Sequence, residues 1–157
     1  MMKFICSCGA EFETSLTHFI NDKKCRCNEC RVKQSNIANM VQQYLDVNNI
    51  CYKKEKTFAD CVGDTNKLLP FDFYIESYNL CIEVDGIQHY KPIPFGGDKQ
   101  KAEERFAKCQ KYDMVKNEFC QKHEISLLRL PFWKIENSTE YIDELNNIFF
   151  PSKNSEL

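Results

Sequence analysis

The sequence predicts an α/β fold, and three observations carry that prediction. Residues 71–77 and 80–84 are short apolar runs flanking a Tyr78-Asn79 turn, the pattern of a β-hairpin. Ile37, Met40, Val41, Tyr44 and Leu45 recur at helical spacing, as do Tyr141, Ile142, Leu145, Ile148 and Phe149. Between these segments, residues 98–122 read as a long helix with Phe106, Cys109, Val115 and Phe119 inward, followed by a buried strand at Ile125–Leu130. With a further strand at 50–58, the predicted order is α-β-β-β-α-β-α.

The first element is a cysteine-rich module over residues 1–33. Five of the ten cysteines fall here, as Cys6-Ser7-Cys8 and Cys25-Arg26-Cys27-Asn28-Glu29-Cys30. About thirty residues cannot bury a stable core unaided, so a staple is expected. Thiolates in two close groups suit tetrahedral Zn²⁺, and the pattern is similar to a zinc ribbon. Cys6, Cys8, Cys27 and Cys30 are the expected ligands with Cys25 spare, although the spacing leaves the choice of four among five open. Cys51, Cys61, Cys81, Cys109 and Cys120 are scattered singly and read as thiols packed as small apolar groups.

Residues 34–151 form the main domain, and 152–157 read as a frayed tail. Ser35 is the expected N-cap of the helix at 35–47. Glu55 sits among lysines in the 50–58 strand, either beside a functional site or simply on the surface. Gly63-Asp64 marks a turn in the loop at 59–69.

The hairpin follows. Pairing Ser77 with Leu80 places Asp72, Tyr74, Cys81, Glu83 and Asp85 on one face and Phe71, Phe73, Ile75, Ile82 and Val84 on the other. A register shift of two residues keeps that division, because only parity matters. One face is a core face. The other gathers three carboxylates, which repel one another and are costly to bury unpaired. Mg²⁺ gives such a cluster a purpose: it takes one or two carboxylates, keeps several waters and completes its shell with phosphate oxygens.

Lys91-Pro92-Ile93-Pro94-Phe95-Gly96-Gly97 then forms a loop placed for substrate contact. In the long helix, Asp113 and Lys116 stand at i and i+3. They form either an exposed ion pair, or Lys116 reaches the acids as a cation. Pro131 is expected to stop the last strand, and Asn137-Ser138-Thr139-Glu140 reads as a capping box for the final helix.

Asp72, ten intervening residues, then Glu83-Val84-Asp85 resembles the active site of the PD-(D/E)XK nuclease superfamily, with Pro70-Phe71-Asp72 as its first motif. Ile82–Tyr90 resembles the branch that includes very-short-patch-repair and phage-borne endonucleases. Phe58, Asp113–Asn117 and Leu127–Pro131 extend the similarity, which runs from about Ser35 to Trp133. The resemblance implies a restriction-endonuclease-like core, α-β-β-β-α-β with an added C-terminal helix. It also implies a metal-dependent endonuclease acting on DNA, duplex or branched. Two positions depart from the superfamily pattern. Asp85 stands where a lysine is usual, and Asn36, Ile37 and Ala38 replace a glutamate in the first helical turn.

On this reading Asp72, Glu83 and the Val84 carbonyl hold Mg²⁺ or Mn²⁺, and Asp85 completes or orients the shell. Gln88 positions water or phosphate, His89 serves as general base or general acid, and Glu55 and Lys116 assist. Net charge is −2, too low for a strongly basic DNA binder, so nucleic-acid contacts are expected to be local: Lys23, Lys24, Arg26, Arg31, Lys33 and Lys91. Neither a signal peptide nor a long apolar run is present, so a cytoplasmic protein without membrane contact is expected. The rival expectation is a non-catalytic zinc-ribbon DNA-binding adaptor on a decayed nuclease fold.

Overall fold

The computed structural model describes residues 2–5, 11–15, 28–94, 98–136 and 138–151, with residues 28–36 described as backbone only. Strands β1 (Met2–Ile5) and β2 (Glu11–Thr14) form an antiparallel hairpin in which Phe4 faces Phe12, their rings 5.8 Å apart. Cys6 and Cys8 belong to the connection between them. Together with Cys25 and Cys27, Lys23, Lys24 and Arg26, they lie outside the described residues, as do the side chains of Cys30, Arg31 and Lys33.

Helix α1 covers Asn28–Val47. The expected start at Ser35 is therefore seven residues late, and the helix crosses the predicted module boundary at residue 33. No glycine or proline interrupts 28–47, so nothing in that stretch breaks a helix once it has begun. At its other end Asn49 adopts a left-handed backbone (φ 55°), with Ile50 N–H donating to the Leu45 carbonyl and Asn49 N–H to Asp46. This Schellman arrangement turns the chain toward β3.

A four-stranded mixed sheet has the order β3 (Lys53–Lys56), β4 (Phe71–Ile75), β5 (Leu80–Asp85), β6 (Ser126–Pro131). The β3–β4 and β4–β5 pairs are antiparallel, and β5–β6 is parallel. A parallel pair needs a crossover, and α2 (Lys99–Lys122) supplies it. Asp98 caps α2 by accepting the Lys101 N–H, and a left-handed Glu124 (φ 54°) ends it. The hairpin pairs Ile75 with Leu80, two residues from the expected register, because Glu76–Tyr78 form a short 3₁₀ turn closed by Asn79 in a left-handed conformation. Parity is unchanged, so Tyr74, Cys81, Glu83 and Asp85 share one face as predicted.

Both faces are covered. On one, Phe73, Ile75, Leu80, Ile82 and Leu130 pack against Ile37, Val41 and Leu45 of α1 and against α3 (Phe132–Glu136) and α4 (Glu140–Phe149). Each fully buried aliphatic side chain there contributes about 1.5–3 kcal/mol. On the other, Cys81 and Leu127 meet Phe119, Cys120 and Val115 of α2, with Phe58, Cys61 and Leu69 from the preceding loop. Burial pushes the Cys61 thiol up to about 11, so it packs as a neutral group. Cys61, Cys81 and Cys120 are buried as expected, whereas Cys51 is exposed.

Phe71 departs from its expected face and joins the α2-side cluster, with its ring against Phe58 and Phe119. The alternation breaks at Asp72, whose carboxylate accepts the Val84 N–H that a backbone carbonyl takes in a regular ladder. β6 stops at Pro131 as expected, with the proline as its last residue. This placement is allowed on an edge strand. The five-residue α3 was not foreseen, since it is too short to show a periodic stripe. Thr139 makes no side-chain cap to α4; instead Ser138 Oγ accepts the Glu140 N–H. Among the described residues no helix is long and apolar enough to cross a membrane.

Candidate active site

Two ion clusters sit side by side where β4 and β5 meet the inner face of α2. The first contains Asp72 and Glu83, the residues next to the Phe73–Ile82 pair that ends the β4–β5 ladder. Each carboxylate holds the other strand: Asp72 N–H donates to Glu83 Oε1 at 3.2 Å, and Val84 N–H to Asp72 Oδ2 at 2.7 Å. Lys116 reaches across from α2 and donates to Glu83 Oε2 at 2.6 Å, its Nζ lying 5.1 Å from the centre of the Phe71 ring. The ring fixes the lysine from one side and the carboxylate from the other. Phe71 therefore gives up its predicted face to become part of the wall behind Lys116.

Burial pushes the Glu83 carboxyl up to about 7, despite the opposing pull of Lys116, and the Asp72 charge adds to the rise. Asp72 is raised as well, first by burial, with the Val84 N–H and Lys116 opposing and Glu55 and Asp85 reinforcing. Glu55 acts on Asp72 from β3. The pairs Lys54–Phe73 and Lys56–Phe71 bracket it, placing it opposite Asp72, and its backbone is left-handed with φ 49°. A non-glycine residue in that conformation costs about 1–2 kcal/mol, and such strain tends to gather at functional sites. One lysine thus faces three acids. The carboxylate oxygens of Asp72 and Glu83 are of the type a hard divalent cation takes, although among the described residues these acids and Glu55 do not bring three ligand atoms within 4.8 Å of one another.

The second cluster absorbs Asp85. Arg129 of β6 clamps it with two parallel bonds, Nε to Oδ2 and Nη2 to Oδ1, both 2.8 Å, and Tyr90 Oη donates to Oδ2 at 3.2 Å. Arg129 Nη2 also reaches Asp113 Oδ1 at 2.6 Å, and its Nη1 donates to Asn117 Oδ1 at 3.2 Å. Asp113 Oδ2 in turn holds His89 Nδ1 at 2.8 Å. Asp85 is only 3% exposed and its oxygens are held by Arg129 and Tyr90, as those of equally buried Glu83 are held by the Asp72 N–H and Lys116. Asp113 pairs with His89 and Arg129 instead of Lys116, which is free to serve Glu83. Burial lowers the His89 pKa, but the Asp113 hydrogen bond and the charges of Asp113 and Asp85 outweigh it, leaving the ring above its ordinary value.

The structure therefore brings Asp72, Glu83 and Lys116 together, leaves Glu55 exposed on β3 within electrostatic reach of Asp72, and sets Asp85 and His89 in the adjoining network. Gln88 is exposed and lies over Gly86, where an added Cβ would come within 2.9 Å of its Oε1, so Gly86 leaves room for the glutamine to fold back. Lys91 is exposed just beyond the 3₁₀ turn Ile87–His89. Sequence reasoning missed the role of Arg129. Its signal was an arginine within the apolar run Leu127-Leu128-Arg129-Leu130, since a charge inside a buried strand requires a buried partner. Compared with protein-family models, curated proteins and solved structures, the chain shows no match.

Proposed function

We propose that this chain is a Mg²⁺- or Mn²⁺-dependent endodeoxyribonuclease with a restriction-endonuclease-like core and an N-terminal zinc ribbon. One observation carries the reading: Asp72 and Glu83 are held together at raised pKa with a single lysine, Lys116, 2.6 Å from Glu83. Folding gains nothing from two acids kept this way, whereas a divalent cation bound between them would stabilise both as carboxylates.

In this reading Asp72, Glu83 and the Val84 carbonyl hold the ion, with Glu55 at its margin. A bound ion would supply charge neutralisation at the scissile phosphate and a more acidic water for in-line attack. Lys116 takes the place of the lysine that position 85 lacks, orienting that water or bracing a phosphate oxygen. Asp113 fixes the His89 ring through Nδ1 and keeps it readily protonated, which suits a general acid for the leaving oxygen. Of the two roles expected for His89 from sequence, this geometry favours the acid. Lys91 and the basic residues Lys23, Lys24, Arg26, Arg31 and Lys33 supply phosphate contacts.

The test is incubation of pure protein with supercoiled plasmid, branched DNA and RNA, with and without Mg²⁺ or Mn²⁺. Cleavage of DNA only with metal is expected. Lys116→Met should lower the single-turnover rate by about 10²-fold while leaving DNA affinity within about two-fold. An unchanged rate would remove Lys116 from the chemistry.

The second reading, a non-catalytic adaptor, draws support from the Asp85–Arg129 clamp, which removes one expected ligand from the metal shell. Absence of metal-dependent cleavage on every substrate, with DNA binding retained, would favour it.

The zinc-ribbon part has its own check. Native mass spectrometry should show one zinc per chain. Cys27→Ser should remove it and Cys25→Ser should retain it; the reverse result would reassign the ligands among Cys6, Cys8, Cys25, Cys27 and Cys30.

A further inference from the structure

A third group of potential ligands stands behind the His89 ring. Cys109 and Asp113 are four residues apart on α2, so both project from one face of the helix toward the 3₁₀ turn that carries His89. Cys109 Sγ lies 3.3 Å from His89 Nδ1, and Asp113 Oδ2 lies 2.8 Å from the same nitrogen. The three donor atoms fall within 4.8 Å of one another. This is a nitrogen, a sulfur and an oxygen converging on one point, a donor set chemically unlike the all-oxygen group around Asp72 and Glu83. Hard Mg²⁺ has little affinity for it, whereas Zn²⁺ accepts all three donor types.

We propose that His89, Cys109 and Asp113 form a binding site for a thiophilic divalent cation such as Zn²⁺, separate from the carboxylate site, and that its occupancy switches cleavage off.

The geometry needs little adjustment. Tetrahedral zinc bond lengths place a nitrogen and an oxygen donor roughly 3.3 Å apart, and a nitrogen and a sulfur roughly 3.6 Å apart. The His89–Asp113 and His89–Cys109 separations are shorter by a few tenths of an ångström, so those pairs need only part slightly around the ion, while the Cys109 and Asp113 donors lie within 4.8 Å of each other. Arg129 Nη2 already holds Asp113 Oδ1, fixing the carboxylate with Oδ2 toward the histidine, the outer-shell support that metal-binding carboxylates commonly receive. Three protein ligands leave a fourth position for water. His89 and Asp113 side chains are 18% and 20% exposed, which leaves an entry path.

The inhibitory consequence rests on the nuclease reading; the binding site itself does not. An ion on Nδ1 replaces the hydrogen bond through which Asp113 orients His89, so the ring is removed from its proposed task while Asp72, Glu83 and Lys116 remain intact.

Two measurements on the full chain, with its N-terminal zinc already loaded, test the proposal. In the first, the alkylation rates of individual cysteines are followed by peptide mapping while Zn²⁺ is added. Labelling of Cys109 should slow by about ten-fold or more, while that of exposed Cys51 stays unchanged and serves as the internal control. In the second, Co²⁺ is titrated against wild type and Cys109→Ser, reading the thiolate-to-cobalt absorption. Wild type should take up one more equivalent than the variant.

An unaltered Cys109 labelling rate at saturating Zn²⁺, or equal cobalt uptake by the two proteins, would overturn the site. Where cleavage is observed, Zn²⁺ added over millimolar Mg²⁺ should inhibit wild type, and Cys109→Ser should keep its basal rate while needing about ten-fold more Zn²⁺ for the same inhibition. Equal sensitivity would overturn the switch. The labelling and cobalt readouts hold whether or not the chain cleaves DNA, so failure of the nuclease reading is distinguishable from failure of the metal site.

Discussion

If the chain cleaves DNA as proposed, Glu83→Gln and Asp72→Asn should each reduce cleavage by about 10³-fold or more, while Glu83→Gln should raise thermal stability at alkaline pH. The activity loss follows from removing the charge that holds the metal, and with it the activated water and the neutralised phosphate. The stability gain follows from linkage. Glu83 is 3% exposed, and in the folded chain its pKa stands at about 7 against an ordinary 4.5. Between those values the folded protein keeps a proton that the unfolded chain has lost, so stability falls as pH rises from about 4.5 to about 7, and the loss is complete above that window. The shift corresponds to roughly 3 kcal/mol.

A glutamine carries no such penalty, but its amide cannot accept from both the Asp72 N–H and Lys116. The expected net gain is therefore about 1–2 kcal/mol at pH 8, vanishing near pH 5. Thermal melts in EDTA at the two pH values measure it. Mg²⁺ should raise the melting temperature of wild type and leave that of both variants nearly unmoved. DNA binding should persist in both, since phosphate contacts elsewhere supply affinity. If Glu83→Gln instead melts lower at pH 8 and the parent cleaves nothing in metal, the acids serve the fold and the adaptor reading prevails.

What was legible in advance divides along physical lines. Strand parity was legible because a period of two survives a register slip: Ser77 does not pair with Leu80, yet Glu83 and Cys81 still share a face. The long helix was legible because apolar positions, Phe106, Cys109, Val115 and Phe119, recur along it. The start of α1 was not. Ser35 is a sound capping residue, but a residue type that favours helix ends is also tolerated inside a helix that begins earlier.

Partner choice was the least legible property. Asp113 and Lys116 lie three apart on one helix, a spacing that allows either an ion pair between them or Lys116 reaching the acids, and the second is what the fold has. The sheet offers each a better buried counterpart, Arg129 for one and Glu83 for the other. Strand parity puts Asp85 on the face of Glu83, where it is expected to complete or orient a metal shell. The arginine that claims it comes from a strand 44 positions away, joined by the parallel β5–β6 pairing that no local pattern encodes. Phe71 left its predicted face for a similar reason, since the alternation rule assumes an unbroken ladder and the Asp72 carboxylate interrupts it.

Arg129→Met provides the sharpest separation of structural from functional acids, because it should unfold the protein far more readily than any change at Asp72 or Glu83. Replacing the guanidinium leaves Asp85, 3% exposed, and Asp113 with the His89 ring as their remaining cationic neighbour, 2.8 Å from Asp113 and 3.7 Å from Asp85. Breaking a buried pair by deleting one partner costs about 3–5 kcal/mol, since the survivor keeps its desolvation penalty. The Arg129 side chain is 20% exposed, so some water reaches the remaining charges and the lower end, about 3 kcal/mol, is expected. Asp85→Asn should lose a similar amount, because Arg129 then retains only Asp113 and one neutral acceptor. The double variant should lose less than the two single losses combined, since neither orphaned partner remains; chemical denaturation of the four proteins closes that cycle.

Metal response distinguishes the roles of the acids. Asp85→Asn, held below its lowered melting temperature, should keep the Mg²⁺ midpoint for cleavage within about two-fold, because its carboxylate belongs to Arg129. Asp72→Asn should abolish that response. If Asp85→Asn instead stays as stable as wild type and loses its Mg²⁺ dependence, Asp85 is a metal ligand after all, and the Arg129 clamp is a contact that the bound ion displaces.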